Sequence, residues 1–202
     1  MSLTLIIVVI TILVSLAAMN NSELLNKLIL WPRLMNNPSE YYRLLTSGFI
    51  HADYMHLGFN MFALYSFGSY MEQVFAVYMG SQYLFIILYL SGIVAASLPS
   101  YTKHRHDSYY RALGASGGVA AVMFSYIYFA PWSKILILIF PMPSIVFGII
   151  YLAYSAYAQK KGQDNIGHDA HFWGAVYGFV FTLLFEPSHG RIFIEQLMHP
   201  QF

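Results

Sequence analysis

Six long apolar runs constrain this chain before anything else does: residues 3–19, 54–71, 82–98, 113–129, 135–158 and 168–185. Each approaches the roughly 20 residues that a helix needs to cross hydrocarbon. Between them lie polar, charged or proline-containing stretches, among them "NNPSEYYR", "PSYTKHRHDSYYR", "QKKGQDNIG" and "EPSHGR", which read as turns outside the membrane. Only 9% of the 202 residues are charged and 58% are hydrophobic, against about 25% charged in an ordinary soluble domain. The sequence therefore predicts an all-α membrane protein, a single six-transmembrane-helix bundle over residues 1–202. The opening residues "MSLT" carry no positive charge, so the first run is expected to remain as a span and not to be cleaved as a signal peptide.

Composition also excludes some chemistry. A net charge of +1 leaves no clustered cations for a nucleic-acid partner. With no cysteine, disulfides, thiolate nucleophiles and Cys-ligated metals are ruled out.

Successive spans must alternate in direction, because backbone in lipid crosses as complete helices. Spans two, four and six therefore run parallel, with their N-terminal ends at one face. That parity gathers polar groups scattered through the chain: His51, His56 and Asn60 at the head of span two, Ser116 in the first turn of span four, and His171 in the first turn of span six. A serine hydroxyl attacks a carbonyl only once a base takes its proton, and histidine is the side chain tuned for that near neutral pH. Gly117 beside the serine, and Gly174 and Gly178 after the histidine, would let the two helices approach closely. His56 and Asn60, four apart, share a helix face, and both can donate to a developing oxyanion. The Ser116 amide is a third donor, since the first N–H groups of a helix have no internal partner. His51, at the edge of its span, reads as a loop anchor.

Singly, each residue has a plainer reading. Serine and glycine pack membrane helices, asparagine can glue them together, and a histidine at a helix end can be a simple interfacial group. Their arrival at one depth favours function, because polar groups inside spans are costly. Asp169, two residues from His171, faces elsewhere on a helix, and Asp107 and Asp164 fall in loops. The expected site is thus a Ser–His dyad, not a triad.

These residues resemble the motifs of the rhomboid intramembrane serine proteases in their minimal six-span form. "HADYMHLGFN" is similar to the family's His-x4-His-x3-Asn, "GASG" to its Gly-x-Ser-Gly, and "AHFWGAVYG" to its Ala-His-x2-Gly-x3-Gly. Gly68 and Glu72 resemble a family Gly-x3-Glu. The resemblance implies an endopeptidase with Ser116 as nucleophile, His171 as general base, and an oxyanion hole of His56, Asn60 and the Ser116 amide. Gly114, Gly174 and Gly178 would be close-packing residues, and Glu72 part of a structural network away from the chemistry. It also implies transmembrane protein substrates in a lipid bilayer, with no cofactor and no metal. Two positions depart from the pattern: Tyr42-Arg43 stands for the usual Trp-Arg, and Ala120 stands where an aromatic usually supports the histidine. Another ring must then orient His171, with Phe124, Phe172 and Trp173 as candidates.

Span five contains Pro141 and Pro143, which read as a kink; the resemblance makes this span a lateral gate and "AQKKGQDNIG" a cap. The family places its site on the non-cytoplasmic side, here of the inner cell membrane. The cations oppose that placement: Lys27, Arg33, Arg43, Lys103, Arg105, Arg111, Lys160 and Lys161 lie on the face of the site, and only Lys134 and Arg191 on the other. The amphipathic "LLNKLILWPRL" suits an interface where cations meet phosphates, which favours the family orientation. A catalytically inactive rhomboid-like protein that binds membrane helices would lack the serine or the histidine, and both are present. A transporter or metal channel built on His51, His56, His168 and His171 would call for carboxylates or broken helices at mid-membrane. The span interiors hold no Asp or Glu below their first turns.

Overall fold

Every apolar run but one becomes a helix over nearly its whole length. The computed structural model describes residues 2–137, 140–161 and 167–200. Its long helices are α1 (Leu3–Met19), α4 (Tyr54–Tyr78), α5 (Tyr83–Lys103), α6 (Ser116–Phe129), α7 (Ser144–Lys161) and α8 (His168–Phe185). Shorter helices α2 (Ser22–Leu28) and α3 (Arg43–Thr46) fold the first loop, and α9 (His189–Met198) follows α8. The result is an all-α membrane bundle with one small hairpin. Among the described residues α5 alone is long and apolar enough to cross a membrane by composition and length, while α1 and α6 are apolar but shorter.

α6 is the axle of the bundle. From Gly117 to Phe129 every residue except Tyr126 is buried, because α4, α5, α7 and α8 all pack against it. Polar side chains add specific ties between the helices: the Thr182 hydroxyl of α8 lies 2.6 Å from Ser125 Oγ of α6, and the Tyr177 hydroxyl donates to Ser91 Oγ of α5 at 2.7 Å. Such bonds are the available glue where lipid is as apolar as leucine.

Span two runs to Tyr78, seven residues beyond the expected 54–71. The added turns carry Glu72, a buried carboxylate that would be costly without partners. It accepts from the Leu3 and Thr4 amides at 2.8 and 3.0 Å and from the Ser2 and Thr4 hydroxyls at 2.7 and 2.9 Å. A helix N-terminus leaves its first N–H groups unpaired and carries partial positive charge, so Glu72 caps α1 from the far end of α4. That contact also requires α1 and α4 to be antiparallel.

Arg43 does the converse at the other face. Its buried guanidinium donates to the Asn26 and Ile29 carbonyls at 2.7 and 3.0 Å, satisfying the C-terminal end of α2, and pairs with Glu40 at 2.7 Å. Tyr42 donates its hydroxyl to the Lys27 carbonyl at 3.1 Å. The Tyr-Arg pair thus fastens the first loop.

The expected span 135–158 needs correction. Lys134–Ile137 (β1) and Phe140–Pro143 (β2) form an antiparallel hairpin, Lys134 opposite Pro143 and Ile135 opposite Met142. α7 begins only at Ser144. Pro141 and Pro143 therefore do not kink a helix. Proline lacks the N–H that a helix interior needs, whereas a two-stranded edge tolerates it. Ser144 then starts α7, its hydroxyl donating to the Ala130 and Pro131 carbonyls at 2.6 and 3.0 Å. Span four likewise begins at Ser116, not at residue 113, and span three extends to Lys103. Half of the expected cap, residues 162–166, lies outside the described residues.

Replacing Glu72 by Gln removes the charge and one acceptor oxygen from this cap. Glu72→Gln is expected to destabilise the protein by about 1–3 kcal/mol, read as a lower thermal midpoint in detergent. An unchanged midpoint would show that the cap contributes nothing.

Candidate active site

The segment entering α6 is held by backbone donors that find acceptors outside it. Ala112 exchanges both backbone bonds with Leu30 at 3.0 Å, the Gly114 amide donates to the Ser47 carbonyl at 2.9 Å, and the Ala115 amide donates to His51 Nε2 at 3.3 Å. Ser116 is then the first residue of α6. Gly114 has φ +122°, a left-handed conformation open in practice to glycine alone. A Cβ at Gly114 would stand 2.8 Å from His56 Cε1 and 2.9 Å from Nε2, with Ser116 Oγ 3.9 Å from the same point. The glycine thus lets the His56 ring and the Ser116 hydroxyl flank one spot.

His51 is 1% exposed and supports this arrangement from beneath. Its Nε2 accepts from the Ala115 amide, so the ring proton sits on Nδ1, 3.1 Å from Ser15 Oγ of α1. Burial, and then the neighbouring His56, push its pKa down to about 4, with Asp53 opposing. His51 is therefore a neutral strut near pH 7. The His56 ring meets it edge-on at 4.9 Å. Asp53 caps α4 by accepting from the His56 amide at 2.8 Å. Asn60 is buried, and its side-chain amide donates to the His56 carbonyl at 3.0 Å, which leaves its second N–H for another acceptor.

On α8, the backbone of the first turn closes with the His171 amide donating to the Gly167 carbonyl at 3.2 Å. The ring of Tyr151 on α7 stacks on the His171 ring at 5.8 Å and 28°. His168 meets His171 edge-on at 5.8 Å. Of the three rings expected to support His171, Phe172 and Trp173 pack on each other, and Phe124 packs on Tyr151 at 5.9 Å. Tyr151 was not foreseen, because its only sequence signal is membership of an antiparallel neighbouring span. Asp169 Oδ2 lies 3.7 Å from Lys103 Nζ, an ion pair between α8 and α5.

α6 and α8 touch backbone to backbone. A Cβ on Gly174 would stand 2.2 Å from the Gly117 carbonyl oxygen, and one on Gly178 would stand 2.0 Å from that of Ala121. Neither is sterically possible, so any side chain there would force the helices apart. Near the head of α6, a Cβ on Gly117 would lie 3.5 Å from the Ala170 carbonyl oxygen. The chain neighbours of Ser116 and His171 thus face one another. α6 has 14 residues, about 21 Å of rise, against a hydrocarbon core of about 30 Å. A Cβ on Gly117 would stand 2.5 Å from Ala96 Cβ, seven residues before α5 ends at Lys103, so the head of α6 stops short of that end of α5. A cavity of about 30 Å³ lies beside Ser116, lined in part by Ser47, Ser97, Ser100 and Tyr110. Its lining mixes these polar groups with apolar residues such as Leu30 and Leu113, and it has room for a water molecule. Among the described residues no three His, Asp or Glu side chains form a metal-holding group.

A family model described as the Rhomboid domain matches residues 38–188 of the chain. The chain is 32% identical over 148 residues to a mitochondrial RHOMBOID-like protein 12 of Arabidopsis thaliana, covering 65% of this chain and 43% of that protein. It is 32% identical over 143 residues to the mitochondrial Rhomboid protein 1 of Saccharomyces cerevisiae, covering 68% of this chain and 40% of the relative. A mitochondrial presenilin-associated rhomboid-like protein of Homo sapiens is 29% identical over 143 residues, covering 69% of this chain and 36% of the relative. The matches thus span less than half the length of these curated relatives.

The depressed pKa of His51 ties the fold to pH. In the unfolded chain the imidazole has its ordinary pKa near 6.5, and in the fold it has about 4. The unfolded state therefore takes up the proton first as pH falls. Stability contributed by neutral His51 is complete above about pH 6.5 and is lost toward pH 4, by about 1.4 kcal/mol per unit and about 3 kcal/mol in all. Thermal midpoints in detergent at pH 7 and pH 4.5 should separate more in the parent protein than in His51→Gln. Equal separations would refute this origin.

Proposed function

The chain belongs to the rhomboid family of membrane proteins, and on that premise we propose that it is an intramembrane serine endopeptidase. Ser116 is the nucleophile and His171 the general base, and the substrates are transmembrane proteins cut in or near their spans. The observation that carries this reading is the bare backbone contact of α6 with α8. Gly117, next to Ser116, faces Ala170, next to His171, so the two side chains leave their helices from adjoining turns.

His171 accepts the Ser116 Oγ proton as Oγ attacks the substrate carbonyl, and it returns that proton to the departing amine. Water then hydrolyses the acyl-enzyme, with the same imidazole acting as base. The negative oxygen of each tetrahedral intermediate is met by the Ser116 amide, His56 and the second N–H of Asn60. Asp53 and His51 hold His56 in place, through its amide and against its ring. The cavity beside Ser116, with the hydroxyls of Ser47, Ser97 and Ser100 in its lining, supplies a station for the hydrolytic water at the head of α6. A helical substrate must unwind locally before attack, since its amides are already hydrogen-bonded within the helix.

A fluorophosphonate probe should label the purified protein, with labelling abolished by Ser116→Ala and reduced at least 10³-fold by His171→Ala, in keeping with the large losses seen when one member of a catalytic unit is removed. Labelling that survives Ser116→Ala would remove the nucleophile. A folded parent protein that takes up no label would favour an inactive helix-binding relative.

The face bearing the heads of α4, α6 and α8 opens to the non-cytoplasmic side in this reading. Two of the cations on that face have acidic partners, Arg43 with Glu40 and Lys103 with Asp169, while Arg111 keeps its charge 3.8 Å over the Trp31 ring. A tag after residue 202 should be protected from added protease in spheroplasts of an expressing bacterium and cut after permeabilisation. Cleavage in intact spheroplasts would reverse the orientation.

A further inference from the structure

An imidazole on a helix turns about two side-chain bonds, and a general base works only while its acceptor nitrogen stays within hydrogen-bond reach of the nucleophile. One turn beyond Ser116, where a ring on α6 could brace the base, stands Ala120, a methyl group 1% exposed. Rings from the opposite side approach instead. Tyr151 and Tyr154 lie three apart on α7, hence on one face, and His168 and His171 lie three apart on α8. Tyr151 stacks on His171 at 5.8 Å and 28°, Tyr154 meets His168 edge-on at 5.6 Å, and the two histidines meet edge-on at 5.8 Å. Tyr151 is itself clamped, by Phe124 of α6 at 5.9 Å and by Phe147 of its own helix at 5.7 Å. All of these separations fall in the range in which aromatic rings attract one another.

We propose that Tyr151 is the positioning residue for His171, so that the base is oriented from α7 and not from α6. This rests on the reading of Ser116 and His171 as the catalytic pair. The ring face is the working part of Tyr151, and its hydroxyl is dispensable. One consequence concerns α7 as a whole. The helix carries the rings that face both α8 histidines, so the orientation of the base depends on the spacing of α7 and α8. A shift of α7 by the depth of one ring unstacks Tyr151 from His171 while leaving the glycine contact of α6 with α8 intact.

The test compares Tyr151→Phe, which keeps the ring, with Tyr151→Leu, which keeps much of the volume without it. Turnover of a transmembrane substrate and the rate of fluorophosphonate labelling are both measured on the monodisperse, folded fraction. Tyr151→Phe should stay within about threefold of the parent in both. Tyr151→Leu should lose about 10- to 100-fold in kcat and in labelling rate, the scale of a misplaced catalytic group, with KM changed less than threefold. Should Tyr151→Leu fail to fold, Tyr151→Met takes its place, with the same expectation. A ringless variant that labels at the parent rate, while His171→Ala does not label, overturns the role of Tyr151 and leaves the dyad standing. Equal losses in Tyr151→Phe and Tyr151→Leu also overturn it, because the ring would not be what matters. A parent protein that never labels overturns the dyad, and the positioning role falls with it.

Discussion

Two glycines of α8 pressed against the backbone of α6 set the geometry on which the rest depends. At Gly174 and Gly178 there is no room for a single added carbon, so the interaxial distance is fixed by main chain, not by side chains that can adjust. In lipid there is no hydrophobic gain in bringing apolar helices together, and close packing of small residues takes over that role. Because α6 is buried along almost its whole length, α4, α5 and α7 inherit its position. The heads of α4 and α8 then both lie against the head of α6, His56 beside Gly114 and Ala170 beside Gly117.

The same logic governs three of the charged or polar groups that the bundle buries. Glu72 is tolerated because the unpaired amides and hydroxyls at the start of α1 need an acceptor. Arg43 is tolerated because the end of α2 leaves carbonyls that need a donor. His51 joins α1, the loop before α4 and the entry to α6 in one hydrogen-bonded strut. Each group answers a shortage created by a helix end. The polar residues away from the site are therefore a framework that holds the three heads at one level.

The hairpin shows how a local pattern can be read correctly and placed wrongly. The run of residues 135–158 is apolar enough to continue as one helix, and its prolines suggest a bend within it. In the fold the two prolines end a strand pair, and the helix starts after them, because a missing N–H is cheaper at an exposed edge than inside a turn of helix. α9 was not anticipated either. Its amphipathic stretch is short and begins inside "EPSHGR", at His189, and it docks through the Trp132 indole, which donates to the Gln196 carbonyl at 2.7 Å.

The sequence by itself determined the helical class, the parity that sends three helix heads to one face, and the residues at those heads. Hydrocarbon imposes span length and direction on any chain this apolar, and those constraints are local and periodic. Only the tertiary structure decided which ring lies on His171, that the chain neighbours of Ser116 and His171 adjoin, and that His51 is a neutral strut. These depend on the distance and rotation between helices far apart in the chain. Periodicity says which face of a helix is apolar, but not which neighbour that face will meet.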